Sequence, residues 1–329
     1  MVSYTCYRHL LFGVCILTLI CSLAHILFLE SYLPITCDSS SEKALVFEPT
    51  PVKILFAFIA IGEVPQRVEL IYENLNAIGL NEPIHGGRYQ IDCLLFSYAP
   101  YPYEPQWVHD MENSTTPRCE IVRMYKMDFV GFLKTLIPSI IRDSGYKYII
   151  LSLDDVALTA KHGATFDVVK FFDIVESQRL HVASCAIEGG SHPGHWPQTP
   201  ENSTQIGRFV NMIEIQAVAF DINAWQCFYE LIDTEYPSGW GLDVWFWHRC
   251  INSRRIQEGK MGIIDTMKTV HNPFHLSTTN GADRDPMQLV LEQMHHCANE
   301  HGIQLSLDVN VQTLGKVMAN ETMYDVLET

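Results

Sequence analysis

Tyr146–Asp155 reads YKYIILSLDD: an apolar run of strand length that ends directly on two carboxylates. A continuous apolar run of about eight residues is expected of a strand buried on both faces, with helices packed against each side. Val52–Ile61 (VKILFAFIAI) reads the same way, and so do Ile91–Tyr98 (IDCLLFSY) and Cys119–Tyr125 (CEIVRMY). Helical spacing links them. Val68, Ile71, Leu75 and Ile78 place a helix over residues 64–79, and Phe129–Asp143 is amphipathic and stops at Asp-Ser-Gly. A helix over residues 166–178 leads to a strand at 180–187. Beyond it the sequence predicts a strand at 212–220, a helix at 222–232, a strand at 261–270 and an amphipathic helix at 286–300.

Strand–helix alternation of this kind predicts an α/β fold, an open mainly parallel sheet with helices on both faces. Ligands of such sheets gather at the carboxyl ends of the strands, where Asp154 and Asp155 stand. Residues 188–208, rich in Gly, Pro, His and Ser, read as a long functional loop. One domain over residues 52–303 accounts for these elements; residues 304–329 form a tail without an assigned role.

Leu10–Leu29 (LLFGVCILTLICSLAHILFL) contains no Lys, Arg, Asp or Glu in 20 residues, which as a helix spans the hydrocarbon of a bilayer. It is longer than a signal-peptide core, and no small-residue cleavage site follows it. Arg8 precedes the run, while Glu30, Asp38 and Glu42 follow it. The charge bias favours a tail at residues 1–9 in the cytoplasm and a lumenal body behind a stem at residues 30–51. This is a single-pass type II arrangement in Golgi or ER; a cleaved signal peptide leads to the same compartment. The sequons at Asn113, Asn202 and Asn320 agree with a lumenal glycoprotein. Of ten cysteines, seven lie beyond the apolar run; disulfides are allowed there, but spacing does not give their pairing.

The formal net charge is −16, from 22 Lys and Arg against 38 Asp and Glu. With no basic run, nucleic acid is excluded as a partner. No G-x-S-x-G, H-E-x-x-H or P-loop occurs, and no G-x-G-x-x-G follows the first strand, which removes common hydrolase, metalloprotease, kinase and dinucleotide readings. Strand-end acids suit a divalent cation, Mn²⁺ or Mg²⁺, bridging to substrate phosphates; the competing reading is a helix cap and a solvated acid. Asp265, and His271 in VHNPF, are candidates to complete that shell, unless His271 is a core histidine. His192 and His195 form a weaker pair on a loop, and His295, His296 and His301 read as solvated. Farther on, Ser238–His248 (SGWGLDVWFWH) sets Asp243 between a glycine-tryptophan-glycine turn and a run of aromatics. A sugar ring needs this pairing of a flat apolar face (Trp240) with a carboxylate aimed at a hydroxyl; the alternative is a core segment whose Asp caps a helix. Together these features fit nucleotide-sugar transfer, with a metal at the diphosphate and a carboxylate at the acceptor.

Residues 214–271, with EIQAVAFDINAWQCFYELI, SGWGLDVWFWHRC and MGIIDTMKTVH, resemble the domain-of-unknown-function 707 family of plant and algal proteins (labelled "lysine-ketoglutarate reductase trans-splicing related"). The resemblance implies a GT-A glycosyltransferase-like, Rossmann-like fold. It implies metal binding by Asp155, His271 and Asp265, substrate binding by Asp154, Glu214, Trp240 and Gly241, and an acceptor-side catalytic carboxylate at Asp243. Its partners would be a nucleotide sugar and a glycan acceptor. One departure stands out: Leu153 occupies the place of the first Asp in the family's D-E-D. That departure favours the alternative, a non-catalytic glycan-binding or scaffolding protein on a degenerate form of the fold.

Overall fold

The structure, a computed structural model, describes residues 50–61, 64–79, 88–97, 106–113, 119–124, 129–158, 166–188, 205–234, 241–271 and 313–317, with His295 and Asn299. The expected anchor at residues 10–29, the stem and the 286–300 helix, apart from those two residues, lie outside this set. Among the described residues no helix is long and apolar enough to cross a membrane.

The chain begins with β1 (Val52–Ile61), α1 (Pro65–Ala77), β2 (Tyr89–Ser97), α2 (Gln106–Glu112) and β3 (Glu120–Arg123). Next come α3 (Phe129–Thr135), α4 (Pro138–Asp143), β4 (Tyr146–Leu153), β5 (Val156–Ala157), α5 (Val168–Ser177) and β6 (Val182–Ile187). The second half holds β7 (Gly207–Val210), β8 (Ala217–Asp221), α6 (Ile222–Leu231), α7 (Leu242–Phe246), which runs into a π-helical turn at Trp247–Asn252, β9 (Met261–His271) and β10 (Thr313–Val317). The sheet order is β10-β7-β9-β6-β8-β4-β1-β2-β3, with β5 paired to β9 off this path.

Period-two alternation explains the layers. Leu55, Ala57 and Ile59 of β1 join Ile149 and Leu151 of β4 in one core, under α3, α4, α6 and α7. Ile54, Phe56 and Phe58 join Tyr148 and Ile150 in the other, under α1, α2 and α5. Helices thus cover both faces, as the doubly apolar strands require, and each buried Phe or Leu contributes about 1.5–3 kcal/mol of transfer free energy.

The sheet is mixed rather than mainly parallel. β3, β2, β1 and β4 run parallel, as do β6 and β9, but β8 runs antiparallel to β4 and β6, and β7 to β9 and β10. β8 follows β7 through residues 211–216 and enters between β6 and β4, opposite in direction to both. The helix expected over residues 129–143 is two helices. Pro138 drives Ile137 out of the helical region, to ψ 119°. β7 arises where a loop was expected; there a Cβ on Gly207 would sit 2.7 Å from the Ile263 carbonyl oxygen, so only glycine allows the approach to β9. β10 extends the sheet beyond residue 303. Disulfides join Cys93 to Cys119, tying β2 to the start of β3, and Cys227 to Cys250, tying α6 to the π-helical turn.

Candidate functional site

β4 delivers Asp154 and Asp155 to the carboxyl edge of the sheet, and the turn they form leads into β5. Both are buried. β5 pairs antiparallel with the end of β9, Val156 opposite His271 and Ala157 opposite Val270. This two-residue ladder brings the imidazole to the acids: His271 Nε2 lies 3.9 Å from Asp155 Oδ2. β8 enters the same edge from the opposite direction, and the Leu153 N–H donates to the Gln216 carbonyl at 2.8 Å.

α1 holds the acids from the other side. Arg67, 6% exposed, places Nη1 2.9 Å from Asp154 Oδ1 and Nη2 3.7 Å from Asp155 Oδ2. Two helical turns on, fully buried Asn74 donates through Nδ2 to the Val156 carbonyl at 2.7 Å and accepts the Leu158 N–H at 2.8 Å. An arginine and an asparagine seven residues apart lie on one helix face. Together they fix the acids and the strand that follows them. The sequence reading missed both, although a signal existed: Arg67 and Asn74 interrupt the apolar stripe that contains Ile71 and Ile78.

The donor set fits a divalent ion only in part. Asp155 Oδ1 is buried with no hydrogen-bond partner among the described residues, beside an imidazole that is a common metal ligand. Magnesium-like ions are often held by one or two carboxylates, the rest of the shell being water and substrate phosphate oxygens. Asp155 and His271 fit that arrangement. Among the described residues no three His, Cys, Asp or Glu side chains converge as a ready-made cage. Arg67 already balances part of the acid charge. Leu153, without a carboxylate, serves as a ladder residue of β4 opposite Ile59.

Asp265 does not belong to this group. Its carboxylate is enclosed, taking Arg208 Nη2 at 2.8 Å and Gln205 Nε2 at 2.9 Å. A bulge in β9 lies between it and His271: the adjacent Cys185 and Ala186 of β6 pair with Ile264 and Lys268. The physical reason is ordinary: a buried carboxylate needs a partner, and Arg208 on β7 supplies it. Glu214, half-buried, lines a small pocket at the start of β8 with Gln216, Ser184 and Thr269. Gly241 has φ +90°, a left-handed conformation that favours glycine, and it opens α7, whose first turn carries the half-buried Asp243. Trp245 and Phe246 of that helix are core residues, with the Phe246 ring 5.8 Å from Phe220. The aromatic run therefore anchors α7, and Asp243 is the polar residue this anchoring positions. Trp240, His192 and His195 lie outside the described residues.

Residues 197–304 match the family model described as "Protein of unknown function (DUF707)". A comparison with curated protein sequences returned no match. Among solved structures, GalNAc-T7 with UDP, GalNAc and Mn²⁺ superposes with a TM-score of 0.50 at 8% identity, over 77% of this chain and 48% of that one. S. aureus TarS 1-349 in complex with UDP-GlcNAc gives 0.49 at 8% identity, over 77% of this chain and 68% of that one. The mannosyltransferase PcManGT from Pyrobaculum calidifontis, in complex with GDP-Man and Mn²⁺, gives 0.43 at 11% identity, over 68% and 57%. The chain thus spans about half to two-thirds of the length of these structures. The likeness to GalNAc-T7 is one of fold, a mixed α/β sheet covered by helices.

Proposed function

We propose that this chain, with its GT-A-like fold and its DUF707 match over residues 197–304, is a glycosyltransferase that moves a sugar from a nucleotide-sugar donor to a glycan or glycoprotein acceptor. The observation that carries the reading is the meeting of Asp155 and His271 at the carboxyl edge, 3.9 Å apart, with one buried carboxylate oxygen left unpartnered among the described residues. In this reading Asp155 and His271 hold Mn²⁺ or Mg²⁺. The ion, when bound, neutralises charge on the diphosphate that leaves. Arg67 holds Asp154 and Asp155 in place at that edge, and Asp154 supports Asp155 from the same turn. Asp243 orients or deprotonates the acceptor hydroxyl from the first turn of α7, and Trp240 stacks on a sugar ring. The fold places ligands at strand ends, which supports this division of labour.

The compartment is part of the proposal. A type II anchor at residues 10–29, a stem at 30–51 and a catalytic body in the Golgi or ER lumen accord with the two disulfides, which persist in oxidising compartments. The second reading, a glycan-binding or scaffolding protein on the same fold, is favoured by Leu153 alone. The test is detergent-solubilised full chain with a panel of UDP- and GDP-sugars, with and without Mn²⁺. Slow donor hydrolysis and nucleotide binding that require Mn²⁺, both lost in Asp155→Ala, are expected. Neither turnover nor diphosphate binding by calorimetry across the panel refutes the transferase and leaves the scaffold.

A further inference from the structure

Gln216 is 4% exposed, and neither end of its carboxamide has a hydrogen-bond partner among the described residues. A buried amide left in this condition is destabilising, so such a group points to something it is built to meet. It lines a pocket at the start of β8 with Glu214, Ser184 and Thr269. The floor is narrow, with room for one group of about a water's size. Contacts with three strands set its position. The Gln216 carbonyl takes the N–H of Leu153, the residue before the acids. Ser184 stands on β6, opposite Ile263 of β9. Thr269 stands two residues before His271, on the same face of β9 and about 7 Å from it along the strand. Thr269 and the Gln216 backbone thus link the pocket to the segments that carry His271 and the two acids.

We infer that Gln216 reads one hydroxyl of the transferred sugar, with Glu214, Ser184 and Thr269 shaping the pocket around it. This rests on the transferase reading and adds to it the residue that selects the sugar. A carboxamide donates from one end and accepts at the other, and a hydroxyl does both, so one hydroxyl satisfies both bare ends. A methyl or hydrogen in its place leaves the amide unpaired, and sites built this way discriminate strongly against the analogue. The small floor excludes a bulkier substituent at that carbon. The competing account is a single trapped water with no part in recognition.

One substitution separates these accounts. In Gln216→Met, which conserves volume and removes both polar ends, the full chain should bind UDP or GDP as the wild type does. The gain in affinity of the matching nucleotide sugar over its bare diphosphate should fall about fivefold to tenfold, the worth of one or two neutral hydrogen bonds. Its melting temperature should hold or rise, since an unpaired amide has gone. If no sugar in the panel binds better than its diphosphate, or if Gln216→Met leaves that gain unchanged, the inference is overturned while the transferase survives. A Gln216→Met protein that melts lower with its sugar gain intact assigns the amide to a structural water. Loss of diphosphate binding by the wild type itself removes the parent reading, and this one with it.

Discussion

Replacing Arg67 with methionine tests whether the acids are held as a charged unit. At an effective dielectric of about 20, contacts of 2.9 and 3.7 Å correspond to about 6 and 4 kcal/mol of gross attraction, most of it offset by desolvation. Removing one partner of such a buried cluster leaves the others uncompensated, and the net cost is about 3–5 kcal/mol. For the unit Pro49–Thr329, an unfolding entropy of about 2.1 cal/mol/K per residue turns that into a loss of about 5–8 °C in Tm. Arg67→Met combined with Asp154→Asn should regain part of the loss, because an amide tolerates the missing cation; the cycle should show a coupling of about 1–3 kcal/mol. Mn²⁺ adds a second arm. If Asp155 ligates the ion, saturation at about 100 times Kd returns about 2.7 kcal/mol, and proportionally more of the deficit is recovered in the arginine variant than in Asp155→Ala. The assay is thermal unfolding by circular dichroism of five proteins at fixed ionic strength: wild type, Arg67→Met, Asp154→Asn, their combination and Asp155→Ala. A melting temperature for Arg67→Met within about 1 °C of wild type, where ordinary surface changes fall, refutes the reasoning.

Asn74→Ala strips partners from two buried backbone groups, the Val156 carbonyl and the Leu158 N–H. A cost of about 2–5 kcal/mol is expected in denaturant unfolding, together with faster hydrogen exchange at the Leu158 amide than at the amides of β1. Equal exchange at Leu158 before and after the change contradicts the clamp. Glu176 gives the pH prediction. Burial raises its pKa, but hydrogen bonds from Lys147 and Arg88 outweigh burial and hold it below the usual 4.5. A depressed carboxyl stabilises the fold above its unfolded value, and that stability is lost as pH falls through the folded pKa. Melting temperature measured from neutral pH down to about 3, below the unfolded glutamate value, should therefore fall less steeply in Glu176→Gln. An unchanged acid limb excludes the contribution.

How much of this was legible in sequence depends on where the determining contacts lie. β1 and β4 are bounded at the same residues in the sequence reading and the structure, because burial on both faces writes an unbroken apolar run. β7 (Gly-Arg-Phe-Val) and β10 (Thr-Leu-Gly-Lys-Val) carry no such run; their pairing depends on neighbours distant in the chain. Pro138 was readable as a break between α3 and α4. At the site, the acids and His271 were legible as residue types, but their meeting depends on the two-residue ladder of β5. Arg67 could have been found as a charge on an apolar stripe. Gln216 could not. A polar side chain after a short turn has no signature until its burial is known.

The placement of β8 has a consequence for how the molecule assembles. Strands β1 to β4 come from residues 52–153 and form one half of the sheet, while β6, β7, β9 and β10 come from residues 182–317 and form the other. β8 is the seam between the halves, with β5 bridging them again at the edge. Asp155 follows the first half and His271 ends a strand of the second, so a ligand that grips both joins the two halves. Occupancy of the site then acts as a rivet: it raises the free energy of parting the seam, and hydrogen exchange along β8 should slow when the ligand binds, even though no residue of that strand need touch it.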